Sequence, residues 1–406
     1  MRLFAFPLAL MVGALSVASA LAAASDASLR PEVGRPLEKA KRFFDHHNYA
    51  ASLAQIRIAE SVRNLTPRER LVVAEMRGAT EQASSDTASA ARTYEGIIAS
   101  GQVTGADLQK LAAADASLTY GLRDYARTIA AIDHYHKAGG HDPAFQALLI
   151  QALYQRQDFA GAARLEAAQI QLQSTAGQQP TEAQLQLLAA SQQQAGDTAG
   201  LRNTLQLLVL HYPNAGYWTN LIQRVQASPG FSDRLALDVY RLRRAVGTLT
   251  TTADYVDYAE QAVVAGLPGE ASAVLEEGYA RKLLGNGAEA PRQARLKTLA
   301  DSSAADSRHS LGQLAAQAGS DPNQAEIQGE RLIALGDVGQ GTALIERSLH
   351  GTGLRHPDEA RLHLGIAYVR AGQTTKGVQV LRTVGGIGGT ADLAQLWILY
   401  ASRHSL

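Results

Sequence analysis

The pattern of apolar and polar residues is clearest from Asp254 to Leu275, which reads DYVDYAEQAVVAGLPGEASAVL. Apolar or small residues recur there at helical spacing, a turn with glycine and proline follows, and a second apolar stripe begins. The first stripe comprises Tyr255, Tyr258, Ala259, Ala262 and Val263, and the second comprises Ala271, Val274 and Leu275. The pattern predicts two helices joined by a tight turn, which cross at Ala259 and Ala271. Neither helix can bury its stripe alone, so we expect further copies along the chain.

A repeat near the C-terminus meets this expectation. Gly329, Gly336 and Gly341 recur as Gly365, Gly372 and Gly377, each 36 residues further along the chain. We expect the first glycine at a helix crossing, the second in the turn and the third on the facing helix. Weaker copies are indicated around Asn48, Asp86, Asp124 and Asp158, and from Leu185 to Pro213.

These units resemble the tetratricopeptide repeat (TPR) family, which is built from helical hairpins of about 34 residues. The best matching positions are Leu364, Gly365, Tyr368, Gly377 and Leu381. The chain departs from the family pattern at Arg361, where the family often has Trp, and at Gly389, where it often has Pro. From about Pro36 onward, the resemblance implies an all-α fold, a right-handed α-solenoid of stacked hairpins. It implies little about function.

The chain divides into four predicted segments. Residues 1–24 are a signal peptide, and residues 25–283 hold the N-terminal and central TPR-like units. Residues 284–320 contain the helix-breaking run LGNGAEAP and form a degenerate unit or a hinge. Residues 321–406 hold the C-terminal units and a capping helix that covers the end of the stack.

The first 24 residues combine an early Arg2, a long apolar run and small residues such as Ala18, Ser19 and Ala20. This composition predicts a cleavable signal peptide, and hence a periplasmic or secreted bacterial protein that is not stably inserted in a membrane. An uncleaved anchor is the alternative, since the apolar run approaches the length of a spanning helix.

Composition excludes several classes of function. Lys plus Arg and Asp plus Glu both number 38, so no net field attracts nucleic acid or an anionic membrane. The chain has no cysteine, which excludes disulfides, lipidation of a lipobox and a thiol nucleophile. It also has no GxSxG or HExxH motif, so we expect no enzyme activity.

Two local patterns suggest ligands but favour structural explanations. His134 and His136 are two residues apart on a predicted helix, and His141 lies beyond a turn, so they lack the spacing of a chelating pair. The run from Gly385 to Thr390 lacks the lysine and the preceding strand of a phosphate loop. We therefore predict no metal, cofactor or catalytic residues.

In the resembling family, the first helix of each hairpin lines a concave groove. The resemblance places nine candidate partner-binding residues there: Gln151, Tyr154, Gln155, Gln186, Gln193, Gln194, Val256, Glu260 and Arg370. The same faces carry Val263, Glu326, Glu330, Ile333, Leu362 and Ile366. Glutamine both donates and accepts hydrogen bonds, which suits a peptide backbone or a glycan. It is also a common polar residue on solvated helices, which is the alternative explanation.

Two functions follow from these observations. The first is a non-catalytic, exported scaffold that binds a protein or peptide in its concave groove. The second is an accessory factor that binds saccharide in envelope or exopolysaccharide assembly or export. Saccharide binding would require aromatic faces in the groove, for which Tyr154, Tyr217 and Trp218 are the candidates.

Overall fold

A computed structural model describes residues 29–212 and 214–403, and over these residues the protein is all-α, as predicted. The predicted signal peptide and Pro213 lie outside the described residues. The chain divides into two compact units, of which the first extends to Thr198 and the second begins at Ala199. Residues 284–320, predicted as a degenerate unit or hinge, lie inside the second unit.

The helices of the first unit are α1 (Pro31–Asp45), α2 (Tyr49–Glu60), α3 (Pro67–Ala83), α4 (Thr87–Ala99), α5 (Gly105–Gly121), α6 (Tyr125–Lys137), α7 (Pro143–Gln155), α8 (Phe159–Thr175) and α9 (Glu182–Ala195). Consecutive helices pack as the pairs α1–α2, α3–α4, α5–α6 and α7–α8. This arrangement of adjacent, paired helices is consistent with a helical repeat.

One turn recurs between paired helices of the first unit. A residue with positive φ is followed by Asn or Asp, whose side chain accepts a hydrogen bond from the start of the next helix. The four capping residues are Asn48, Asp86, Asp124 and Asp158. These are the positions at which the sequence indicated weak repeats, so the repeat reflects a shared helix start as well as shared packing.

The helices of the second unit are α10 (Thr198–His211), which begins at the boundary, α11 (Ala215–Gln226), α12 (Ala236–Ala245), α13 (Thr252–Val264), α14 (Pro268–Ala280), α15 (Ala290–His309), α16 (Leu311–Gln317), α17 (Pro322–Ala334), α18 (Val338–His350), α19 (Pro357–Arg370), α20 (Thr374–Leu381) and α21 (Thr390–Arg403). A short 3₁₀ turn, Asp233–Leu235, precedes α12. Helices α13–α14, α17–α18 and α19–α20 form hairpins, and α21 packs on both helices of the last one.

The hairpin α13–α14 forms a core of the second unit, and its stripes are those that the sequence predicted. Tyr255, Tyr258, Ala259 and Ala262 on α13 are buried against Ala271, Val274 and Leu275 on α14. The turn between them contains Gly266 in the left-handed region, at a φ of 72°. Val263 is only half-buried, so it marks the edge of the stripe.

The repeated glycines hold the expected places in α17–α18 and α19–α20. A Cβ on Gly329 would lie 2.7 Å from the carbonyl oxygen of Gly341, and one on Gly377 would lie 2.9 Å from that of Gly365. Gly336 and Gly372 occupy the turns with positive φ. Glycine therefore lets the two backbones of each hairpin approach more closely than any side chain would permit.

Among the described residues, no helix combines the length and apolar character needed to cross a membrane.

Candidate functional site

A group of ionisable side chains lies within the second unit, where α12, α13, α14, α17 and α19 meet. Its members, which we call the Arg241 cluster, are Asp238, Arg241, Tyr258, Glu270, Glu326, Glu330, His363 and Arg370. Asp238, Arg241 and Glu270 are almost completely buried. Buried charges are stable only when paired, so their mutual contacts determine the geometry of the site.

Arg241 lies at the centre of the cluster and contacts three carboxylates. Its Nε and Nη2 donate to the two oxygens of Glu270, at 3.0 and 2.8 Å. Its Nη1 donates to Oδ1 of Asp238 at 2.9 Å and to Oε1 of Glu330 at 3.0 Å. The hydroxyl of Tyr258 also donates to Oε1 of Glu270, at 2.7 Å. Asp238 and Arg241 can share this site because they are three residues apart on one face of α12.

His363 joins the same carboxylates from α19. Its Nε2 lies 3.3 Å from Oδ2 of Asp238, and its Nδ1 lies 3.1 Å from Oε1 of Glu326 and 3.3 Å from Oε1 of Glu330. Glu326 and Glu330 are four residues apart on α17, which places both carboxylates on the face toward α19. The imidazole therefore has a carboxylate at each of its nitrogens.

The electrostatic environment favours the charged forms. Burial alone lowers the pKa of Arg241, but the attraction of Glu270, Glu330 and Asp238 outweighs it and raises the pKa well above its ordinary value. Burial likewise opposes ionisation of Glu270, yet Arg241 and Arg370 hold its pKa below the usual range. For His363, Glu330 and Asp238 outweigh burial and raise the pKa well above its ordinary value.

A small pocket adjoins the Arg241 cluster and has a volume of about 80 Å³. Charged groups line one part of it, including Arg241, Glu330 and His363. Aliphatic groups of Ile333, Ala334, Ile366 and Ala367 line another part. Arg370 contributes its guanidinium at the edge and is 41% exposed, with Nη1 3.6 Å from Oε1 of Glu270. We call this cavity the Arg241 pocket.

Some of the residues that the sequence placed on the first-helix faces line this pocket. Glu330, Ile333, Ile366 and Arg370 were expected on one surface, and the structure brings them together around the cavity. The prediction that Leu362 lies on the same surface is wrong, because its side chain is completely buried. Leu362 lies about one turn before Ile366 on α19, so the predicted first-helix face extends one turn too far toward the helix start.

The other candidates in the second unit lie elsewhere. Val256 lines a second hollow of about 350 Å³ between α13 and α15, together with Asp257, Arg292 and Leu296. Nearby, Glu260 accepts a hydrogen bond of 2.9 Å from Arg292. The predicted residues Val256 and Glu260 therefore do not line the same cavity as Arg370.

The first unit contains the remaining six candidates, and several are engaged within the protein. Gln151 accepts a hydrogen bond of 2.9 Å from the hydroxyl of Tyr120, which links α5 to α7. Tyr154 is half-buried and packs edge-on against Phe159. Gln186 is half-buried. The side chains of Gln155, Gln193 and Gln194 are exposed.

Aromatic residues considered for saccharide binding differ in their accessibility. Trp218 is buried in the core of the second unit, so its ring offers no face to a ligand. Tyr217 is half-buried. The histidines weighed as metal ligands, His134, His136 and His141, do not form a group of three ligands with neighbouring acidic residues within the described part of the chain.

Sequence reasoning missed Asp238, Arg241, Glu270 and His363. They come from helices that are far apart along the chain, so no local spacing connects them. Two signals were present: the i,i+3 pair of Asp238 with Arg241, and a histidine between Leu362 and Leu364 in an otherwise apolar run. A buried polar residue requires a hydrogen-bonding partner. These two signals therefore indicate a polar cluster but do not identify its other members.

Comparison with known proteins supplies no family. No family model matches the chain, and no curated protein matches it significantly.

Proposed function

We propose that this protein is a non-catalytic, exported helical-repeat scaffold, similar in build to the TPR family, that binds a polypeptide partner. The observation that carries the proposal is the Arg241 pocket, where aliphatic side chains and the exposed guanidinium of Arg370 adjoin one cavity. Apolar surface with a few oriented polar groups is the usual composition of a binding site.

The size of the pocket favours a polypeptide over a small molecule. Pockets for small ligands and cofactors usually enclose about 300–1,000 Å³, whereas the Arg241 pocket encloses about 80 Å³. This volume accepts one side chain of a longer ligand. Arg370 would then supply N–H donors to a carbonyl or carboxylate of the same segment.

The internal contacts of the cluster support a binding role without a reaction. Glu270 accepts from Arg241 and Tyr258, and Asp238 lies against Arg241 and His363. These carboxylates are held by charge-assisted bonds, which favour their ionised forms. Saccharide binding receives less support, because Trp218 is buried and Tyr154 packs against Phe159.

Export is the part of the proposal that rests on sequence alone. The segment from Met1 to Ala24 has the charge, apolar run and small terminal residues of a signal peptide. Intact mass of the exported protein should show a new N-terminus between Ala20 and Ser25. Retention of Met1 with tight membrane association would identify an anchor instead.

Partner capture by variant proteins tests the proposed function. Arg370→Ala should weaken capture from a periplasmic extract while leaving the circular dichroism melting curve almost unchanged, because its contact with Glu270 is long and partly exposed. Arg295→Ala is the matched control, since it removes an exposed arginine from α15, away from the pocket. Equal capture by both variants would exclude the Arg241 pocket as the binding site.

A second arm of the experiment tests the glutamine-rich surface of the first unit. Replacing Gln186, Gln193 and Gln194 together with alanine should weaken capture while leaving the melting curve almost unchanged, because Gln193 and Gln194 are exposed and Gln186 is only half-buried. Gln178 and Gln179 are a suitable control pair, because both are exposed.

A further inference from the structure

Three side chains of types that bind metals converge beside the Arg241 pocket. Glu326 and Glu330 project from one face of α17, and His363 faces them from α19. One ligand atom from each residue lies within 4.8 Å of the other two. We propose that Glu326, Glu330 and His363 bind a divalent transition-metal ion of the Zn²⁺ type.

The distances within the group suit such an ion. Nitrogen and carboxylate ligands lie about 2.0–2.2 Å from zinc, so the ligand atoms of a tetrahedral site are about 3.3 Å apart. Nδ1 of His363 lies 3.1 Å from Oε1 of Glu326 and 3.3 Å from Oε1 of Glu330. Both distances from the imidazole therefore match the spacing of neighbouring ligand atoms in a tetrahedral site.

Asp238 orients the imidazole for this role. It is almost completely buried on α12, and its Oδ2 lies 3.3 Å from Nε2 of His363. A hydrogen bond from Nε2–H to this carboxylate leaves the Nδ1 lone pair directed at the two glutamates. Carboxylate partners of this kind fix the tautomer of metal-binding histidines and raise their basicity. Asp238 is thus a positioning residue.

The charges of the cluster also fit a divalent cation. The Arg241 cluster contains four carboxylates, from Asp238, Glu270, Glu326 and Glu330, and the two guanidinium groups of Arg241 and Arg370. The carboxylates outnumber these guanidinium groups by two, and a divalent ion balances that difference.

The donor set identifies the class of ion. Mg²⁺ and Ca²⁺ prefer sites made entirely of oxygen, whereas imidazole suits Zn²⁺ and its neighbours in the first transition row. Arg241 donates to Oε1 of Glu330, but a carboxylate has about four lone-pair positions, so this bond does not prevent metal binding. Three protein ligands leave a fourth position, and the adjoining cavity has room for a water molecule there.

Calorimetric titration of the untagged, exported protein with Zn²⁺ tests the site in the absence of any partner. The protein would first be dialysed against a chelator to remove bound metal. A parallel titration with Co²⁺ would show by its visible absorption whether the ion has nitrogen and oxygen ligands. We expect one ion per chain. Glu326→Gln and His363→Gln should each weaken binding by at least about 100-fold, and Asp238→Asn by about 10- to 100-fold.

The controls are Glu276→Gln and His309→Gln, which remove an exposed glutamate and an exposed histidine elsewhere in the second unit. Both should retain wild-type affinity. Glu326 is only partly buried, so Glu326→Gln decides the question if His363→Gln does not fold. Absence of stoichiometric binding, or unchanged binding in Glu326→Gln, would overturn the proposal. Neither outcome depends on whether the Arg241 pocket captures a polypeptide.

Discussion

Replacing Gly341 with alanine should destabilise the second unit, although alanine is the better helix former. In the structure, a Cβ at this position would lie 2.6 Å from the carbonyl oxygen of Gly329 and 2.6 Å from Cγ1 of Ile333. It would also lie 3.0 Å from the backbone nitrogen of Ile333. Two of these three neighbours are backbone atoms, which cannot rotate away, so α17 and α18 must move apart.

The magnitude follows from two opposing terms. An ordinary van der Waals contact begins at 3.4 Å, so the crossing must open by about 0.8 Å. Overpacking of a well-packed core costs about 1–3 kcal/mol, and backbone neighbours place this case at the upper end. Alanine recovers up to about 1 kcal/mol of helix propensity. We expect a net loss of about 2 kcal/mol, or roughly 4–8 °C in melting temperature for a unit of this size.

Gly339 provides the control, because it lies on the same helix and a Cβ there would contact nothing within 4 Å. Gly339→Ala should therefore leave stability unchanged or raise it by less than about 1 kcal/mol. Thermal unfolding followed by circular dichroism would compare both variants with the wild type. If Gly341→Ala melts at or above the wild-type temperature, the close crossing of α17 and α18 is wrong.

Two further predictions concern buried charges. Arg241→Ala should lower the free energy of unfolding, measured with denaturant, by about 3–5 kcal/mol, because Asp238 and Glu270 lose their partner in the interior. A decrease of less than about 1 kcal/mol would contradict the role of Arg241. In the first unit, burial raises the pKa of the Asp115 carboxyl to about 7. Between pH 4 and pH 7 the folded form keeps a proton that the unfolded form has lost, so stability should fall as pH rises through this range. Asp115→Asn should reduce the stability difference between pH 5 and pH 8 by about 2–3 kcal/mol, and an unchanged pH profile would refute this assignment.

The fold was predictable because its determinants are local. Helical spacing located Tyr255, Tyr258 and Ala259, and glycine is required at Gly336 and Gly372 by positive φ. The division after Thr198 was not predictable, since no linker composition marks it and it depends on how helices cluster in space.

The candidate site was predictable only where one helix face defines it. Glu330 and Arg370 lie on the surface that the repeat pattern assigned to first helices. Arg241 comes from α12, which lies between the repeats recognised in the sequence, so its place opposite α17 could not be inferred. His363 lies only two residues before Gly365, the glycine at the helix crossing, but its partners are on α12 and α17. Long-range pairing of charges has no periodic signal in the sequence.

Site-specific photocrosslinking tests the central claim, that the Arg241 pocket receives a polypeptide, most directly. A benzoylphenylalanine at position 370 would place the reactive group at the edge of the pocket, and the same residue at position 295 would place it on α15 as a control. Irradiation in the exporting cell should give one discrete, protease-sensitive adduct from position 370 and none from position 295. Equal adducts from both positions, or none from position 370, would contradict the account.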